Sequence, residues 1–199
     1  MHTRVLTFTG AKNIDGGVDL LRQKVVPILN EQKGYRGVNA SADRSGAVLG
    51  ILSLWDTESD RDASDSALAD SRQEALDLVG GELTVETFEQ LLAEVASPPG
   101  PGSALMITRF SMDPAKIDEN LAFFKSDVLP RIKASAGFQA VRSMINRKTG
   151  HGLVGTAWAN PDAMKAAAAE AESRRQEGIA RGVSFGDVSY REVLFSDLR

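Results

Sequence analysis

The chain has 199 residues, of which 42 % are hydrophobic and 25 % charged, enough apolar material for a sizeable core. A net charge of −4 speaks against a nucleic-acid footprint, which wants a basic face, and no apolar run approaches the roughly 18 residues that span a bilayer. With no cysteine there is no disulfide, thiolate or Cys-based metal site, and two isolated histidines (His2, His151) are too few for a metal cluster. A cytoplasmic protein is the expectation.

The N-terminal MHTRVLTFTG lacks the regions of a signal peptide, and Arg4 to Thr9 alternate as a strand. From Asn13, a possible N-cap, to Gln32, the residues Val18, Leu21, Val25, Ile28 and Leu29 recur at spacings of three and four, which predicts a helix with one buried stripe. Pro27 should bend it, and Gly34 suits its stop. Tyr35 to Ala42 reads as a second strand. Asp43-Arg44-Ser45-Gly46 reads as a hairpin turn with positive φ at Gly46, and Ala47 to Trp55 as a buried central strand. A second helix, capped at Thr57 or Ser59, should run to Val79 and end at Gly80-Gly81. Leu83 to Val95 reads as a last strand, although EQLLAEV also fits a helix.

The chain then repeats itself. VVPILNEQKGYRGVN at Val25 is echoed by VLPRIKASAGFQAVR at Val128, 103 residues on. At that offset Ile14 falls on Ile117, Asp15 on Asp118, Pro27 on Pro130, Gly34 on Gly137, Arg44 on Arg147 and Trp55 on Trp158. Arg72-Gln73-Glu74 falls on Arg175-Gln176-Glu177, and Glu89 on Glu192. Two copies at one offset mean a duplicated domain and not a solenoid. Ser97-Pro98-Pro99-Gly100-Pro101-Gly102-Ser103 suits neither a helix nor a central strand. The expected organisation is therefore a first half over 1–96, a Pro/Gly linker over 97–103 and a second half over 104–199. Each half runs β-α-β-β-α-β, the split ferredoxin-like order, with an antiparallel sheet and both helices on one face. The other face needs a partner, which the second copy supplies, so the halves should pair within the chain; further homo-oligomers remain open.

On Pro27 with Gly34-Tyr35, Pro130 with Gly137-Phe138, and the strand tryptophans followed by a short loop into helix 2 (Trp55-Asp56-Thr57-Glu58; Trp158-Ala159-Asn160-Pro161), the sequence resembles the dimeric α+β barrel superfamily. It is most similar to antibiotic-biosynthesis-monooxygenase-like domains, as a tandem duplication. The resemblance implies an α+β fold of two fused ferredoxin-like halves forming a single-chain barrel, with a ligand cavity between the sheet and the helices of one half. It also implies a choice of chemistries: cofactor-free oxygenation of aromatic phenols, haem degradation, or no activity.

Haem degraders of this superfamily carry an axial His on helix 2, and neither helix 2 here has one. His151 falls in a turn, where a solvated imidazole is the ordinary reading. Cofactor-free oxygenation needs an apolar pocket and polar groups that hold a developing anion. Trp158, Arg142 and Tyr190 are the candidate catalytic residues, with Trp158 as a wall and indole donor and Arg142 as an anion clamp. Trp55, Asn39, Arg109, Phe138 and Met144 are the candidate pocket residues, and the richer set in the second half favours that half. For each tryptophan plain core packing competes, and for Arg142 a solvated strand-end position. Arg72-Gln73-Glu74 and its copy read as helix surface with local ion pairs. The leading expectation is a cofactor-independent, small-molecule monooxygenase-like protein. A non-catalytic ligand-binding or structural barrel is the alternative, and haem binding or degradation comes third. No cofactor, metal, nucleic acid or membrane partner is expected.

Overall fold

The computed structural model describes residues 1–198. Strand β1 (His2–Thr9) leads into helix α1 (14–30). The hairpin β2 (Tyr35–Asp43) and β3 (Val48–Trp55) follows, then α2 (Glu58–Ala63), α3 (Asp65–Val79) and β4 (Glu82–Val95). The second copy has β5 (Ala104–Ser111), a short 3-10 turn (Pro114–Lys116), α4 (117–134), β6 (Phe138–Ile145), β7 (His151–Trp158), α5 (Pro161–Ile179) and β8 (Ser184–Ser196). The hydrogen-bonded strand order is β1-β3-β2-β8-β5-β7-β6-β4, closed on itself. This is an α+β fold of two ferredoxin-like halves joined in a single-chain barrel.

Two compact units emerge. One comprises residues 1–87 with the chain from Arg191 onward; the other comprises Phe88–Tyr190. β4 therefore starts in the first unit and ends in the second, where Glu89 to Val95 pair with β6. β8 does the reverse, and its Glu192 to Ser196 pair with β2. Each unit thus closes its sheet with a strand end from the other repeat.

The repeated motifs acquire physical meaning here. Gly34 and Gly137 sit at φ 73° and 76°, and a Cβ at either would collide with Asp60 or Ala163. The aromatic after each glycine meets its half's tryptophan edge-on: Tyr35 to Trp55 at 5.5 Å, Phe138 to Trp158 at 5.8 Å. Both tryptophans are fully buried. Arg44 joins Asp15 and Glu192, and Arg147 joins Asp118 and Glu89, so three matched pairs of the repeat form the same ion triad twice.

Ahead of each helix-1 proline lies a π turn, Leu21–Val25 and Phe124–Val128. The amide of Val26 reaches back to the Leu21 carbonyl, and Leu129 to Phe124, each five residues away. The wider turn relieves the crowding between a proline ring and the carbonyl four residues before it.

Three local expectations need correction. Helix 2 of the first half is two helices, because Ser64 caps the end of α2 and α3 restarts at Asp65. The positive φ of the β2–β3 turn falls on Ala47 (52°) and not on Gly46; Gly150 (71°) holds the matching place in the second turn. Gly46 instead lies against the Asp43 carboxylate that accepts its N–H at 2.9 Å, where a Cβ would clash. His151, expected in a turn, opens β7 opposite Ser111.

Candidate functional site

Each unit has a cavity between its sheet and its helices, and the two differ. The second unit's cavity measures about 140 Å³, the first unit's about 60 Å³. The second is walled by Phe110, Phe123, Phe124 and Trp158 among other apolar side chains. Its polar lining comes from Thr108, Asn120, Ser143, Thr156, Arg174 and Arg175.

The volume difference has a local cause. Arg4 lies opposite Ser53 in the β1–β3 pairing, and Met106 lies opposite Thr156 in β5–β7, so the two hold equivalent places. Each lines its own unit's cavity. Arg4 is only 2 % exposed. It donates to Ser64 Oγ (3.0 Å) and to the Arg61 carbonyl (2.6 Å), and pairs with Asp65 at 2.9 Å. Its guanidinium carbon lies 6.0 Å from the Trp55 ring. Burial pushes Arg4 below the usual arginine range, against the pull of Asp65. The buried head of Arg4 thus stands in the first cavity where the second has the thioether of Met106.

The second cavity also has buried cationic lining. On α5 the buried residues are Met164, Ala167, Ala171 and Gly178, and Arg174 falls on the same stripe. The Arg174 side chain is 10 % exposed. It donates to the Ala167 carbonyl at 3.2 Å and faces Glu170 at 3.6 Å, beyond hydrogen-bond reach. Burial lowers its pKa more than Glu170 raises it. Arg175 is bonded to Glu172 at 2.7 Å, and Arg181 stacks 3.8 Å from the centre of the Phe123 ring.

Of the residues singled out from sequence, Trp158 lines this cavity. Its indole N–H is donated to Thr156 Oγ1 at 3.2 Å, as that of Trp55 is to Ser53 Oγ at 3.0 Å, so neither is directed at a ligand. Phe138 packs behind Trp158. Ser143 and Ile145 face the cavity, so by strand alternation Arg142 and Met144 point to the opposite face, where Arg142 donates to Gln90 Oε1 at 2.7 Å. Arg109, between Thr108 and Phe110, alternates away in the same manner. Asn39 donates to the Phe195 carbonyl at 3.3 Å, and Tyr190 is 47 % exposed. The Arg-Gln-Glu copies do carry ion pairs (Lys24 with Glu74, Arg131 with Glu177), yet Arg72 and Arg175 also line the two cavities.

Neither histidine lines either cavity, and among the described residues no group of His, Asp and Glu is placed to hold a metal ion. The cavity walls do not fit a haem held by histidine.

No family model matches the sequence. Two uncharacterized proteins of Mycobacterium tuberculosis, Rv2557 and Rv2558, are 26 % and 27 % identical to it. The alignments cover 90 % and 94 % of this chain and 78 % and 80 % of theirs. Among solved structures, a candidate monooxygenase from Fusobacterium nucleatum superposes with a TM-score of 0.72 at 11 % identity, covering 100 % of this chain and 94 % of that one. An anthrone oxidase-like protein gives 0.71 at 13 %, covering 99 % and 92 %. The haem-degrading enzyme of Listeria monocytogenes gives 0.56 at 12 %, covering 96 % and 98 %. The fold is the one these solved structures share, a ferredoxin-like α+β fold also found in a Listeria monocytogenes protein described as related to antibiotic biosynthesis monooxygenases.

Proposed function

We propose that the chain is a monooxygenase-like protein that takes a small aromatic or phenolic molecule into the second-unit cavity and oxidises it with O₂, without metal or organic cofactor. The observation that carries this is the apolar, aromatic-walled space of about 140 Å³ beside Trp158. An apolar cavity of about 150 Å³ holds one benzene ring, so this one suits a single ring or the end of a larger ligand. The anthrone oxidase-like and monooxygenase neighbours support the reaction type.

The reaction balances without a further reductant. A phenol loses its O–H hydrogen and a ring hydrogen, gains one oxygen atom as a second carbonyl, and releases the other oxygen as water. The four electrons that reduce O₂ all come from the substrate. The protein's part is to desolvate the ring against Phe110, Phe124 and Trp158 and to stabilise the anion that reacts.

One observation favours the second reading, a binder without turnover: no Asp, Glu, His, Lys or Tyr lines the cavity among the described residues, so no side-chain base is in place. 1-Naphthol with an oxygen electrode and a quinone absorbance trace decides between them. Oxidation predicts one O₂ consumed per naphthoquinone formed, lost in Val154→Phe, which fills the cavity, while its melting curve stays cooperative. Binding without oxygen uptake identifies the binder.

A further inference from the structure

Resting on the cavity reading above, we infer that the ligand of the second unit carries an anionic oxygen group, which binds to Arg174 while its apolar body fills the cavity. The two units supply the argument. In the first, the buried guanidinium of Arg4 lies 2.9 Å from a carboxylate, Asp65, which it shares with Arg72. In the second, the residue matching Asp65 is Ala168, which brings no charge. The cation there is Arg174, nine-tenths buried, with one carbonyl bond and one carboxylate, Glu170, at 3.6 Å. That carboxylate is 63 % exposed and also accepts from Ser135 Oγ at 3.3 Å.

A guanidinium offers five donors in a planar fork. The Arg174 contacts found here use one of them within hydrogen-bond distance. Asn120 and Ser143, both buried, add polar groups to the same walls. The neighbouring cations are engaged more closely, Arg175 by Glu172 at 2.7 Å and Arg181 by the Phe123 ring, whereas Arg174 has its carboxylate at 3.6 Å and lines the cavity. The absence of a lining base fits the same picture: a ligand that arrives ionised requires none.

Two sources share this chemistry, an aromatic carboxylate and a phenolate, and the test separates them. Trp55→Phe leaves Trp158 as the single tryptophan, whose emission is read during titration with 1-naphthoate and its uncharged isostere 1-naphthamide. The expected result is naphthoate tighter than naphthamide by roughly tenfold or more. Arg174→Met abolishes the preference and leaves naphthamide binding intact, and Arg174→Lys restores part of it. For the phenolate source, 1-naphthol affinity rises with pH toward the phenol's ionisation, near 10 for an unperturbed tyrosine-like group, and that rise is lost in Arg174→Met. Equal binding of naphthoate and naphthamide, or equal weakening of both by Arg174→Met in a protein that melts as the parent does, overturns the inference and leaves the cavity reading standing. Binding of neither ligand overturns both.

Discussion

At the scale of single residues, Ala47 and Gly150 form a natural experiment. Both hold the left-handed corner of a β-hairpin turn, one with a Cβ and one without. A non-glycine residue there costs roughly 1–2 kcal/mol. Ala47→Gly should therefore raise the melting temperature. Gly150→Ala should lower it by more than Ala47→Gly gains, because the new Cβ would run into the Met112 carbonyl. Thermal denaturation of the two variants checks the pair, and a neutral Gly150→Ala would show that the turn relaxes freely. Residue-scale reading of the sequence recognised Trp158 and passed over Arg174. Yet the signal was present: three residues after Ala171 and four before Gly178, it is an arginine on the apolar stripe of an Ala-rich helix. Arg142 drew attention as a strand arginine, but the period of two assigns only which residues share a face, not which face meets the helices.

At the scale of elements, the two hairpin turns are tied by different chemistry. Asp43 accepts from the Gly46 amide and the Ser45 hydroxyl, and these bonds hold its carboxyl below the ordinary range. Asn146, at the matching position, accepts from the amides of Lys148 and Thr149 and cannot titrate. A depressed carboxylate contributes stability that is fully present above its unfolded pKa, near 4, and is lost as pH falls through the folded value. Acidification below about pH 4 should thus loosen the 43–47 turn before the 146–150 turn. Amide exchange of Gly46 and Thr149 across that range reads the difference, and Asp43→Asn should remove it. Element boundaries were legible where capping chemistry is local, as with Asn13 and Thr57, whose side chains accept from Gly16 and Asp60. The π turns were not legible. Pro27 and Pro130 announce a disturbance, but whether a helix kinks or widens depends on the packing around it.

At the scale of the whole molecule, asymmetry predicts stoichiometry. The parent chain should bind one uncharged 1-naphthamide by calorimetry, and Arg4→Met, which gives the first cavity the second's side chain, should move the count toward two. A count of two in the parent would remove Arg4 from its role as filler. The strand exchange makes a separate prediction. Truncation before Glu192 takes away one of the two partners of β2, so those amides of residues 39–42 that bond to β8 should lose exchange protection while the amides of 140–145 keep theirs. The order of elements was readable because the repeat let one copy correct the other, as when DVSYREVLF settled EQLLAEV as a strand. Which repeat completes which unit was not readable, since a strand's alternation is the same whoever its partner is.

The exchange of strand ends also bears on heredity. Glu89 belongs by sequence to the first repeat, but its ion pair with Arg147 lies in the second unit. A substitution there is inherited with one half and felt in the other. The two sequence repeats are thus tied to each other at β4 and β8, even as they differ at Arg4 and Met106. Recombination that replaces one copy wholesale would carry a foreign strand end into the unit it leaves untouched.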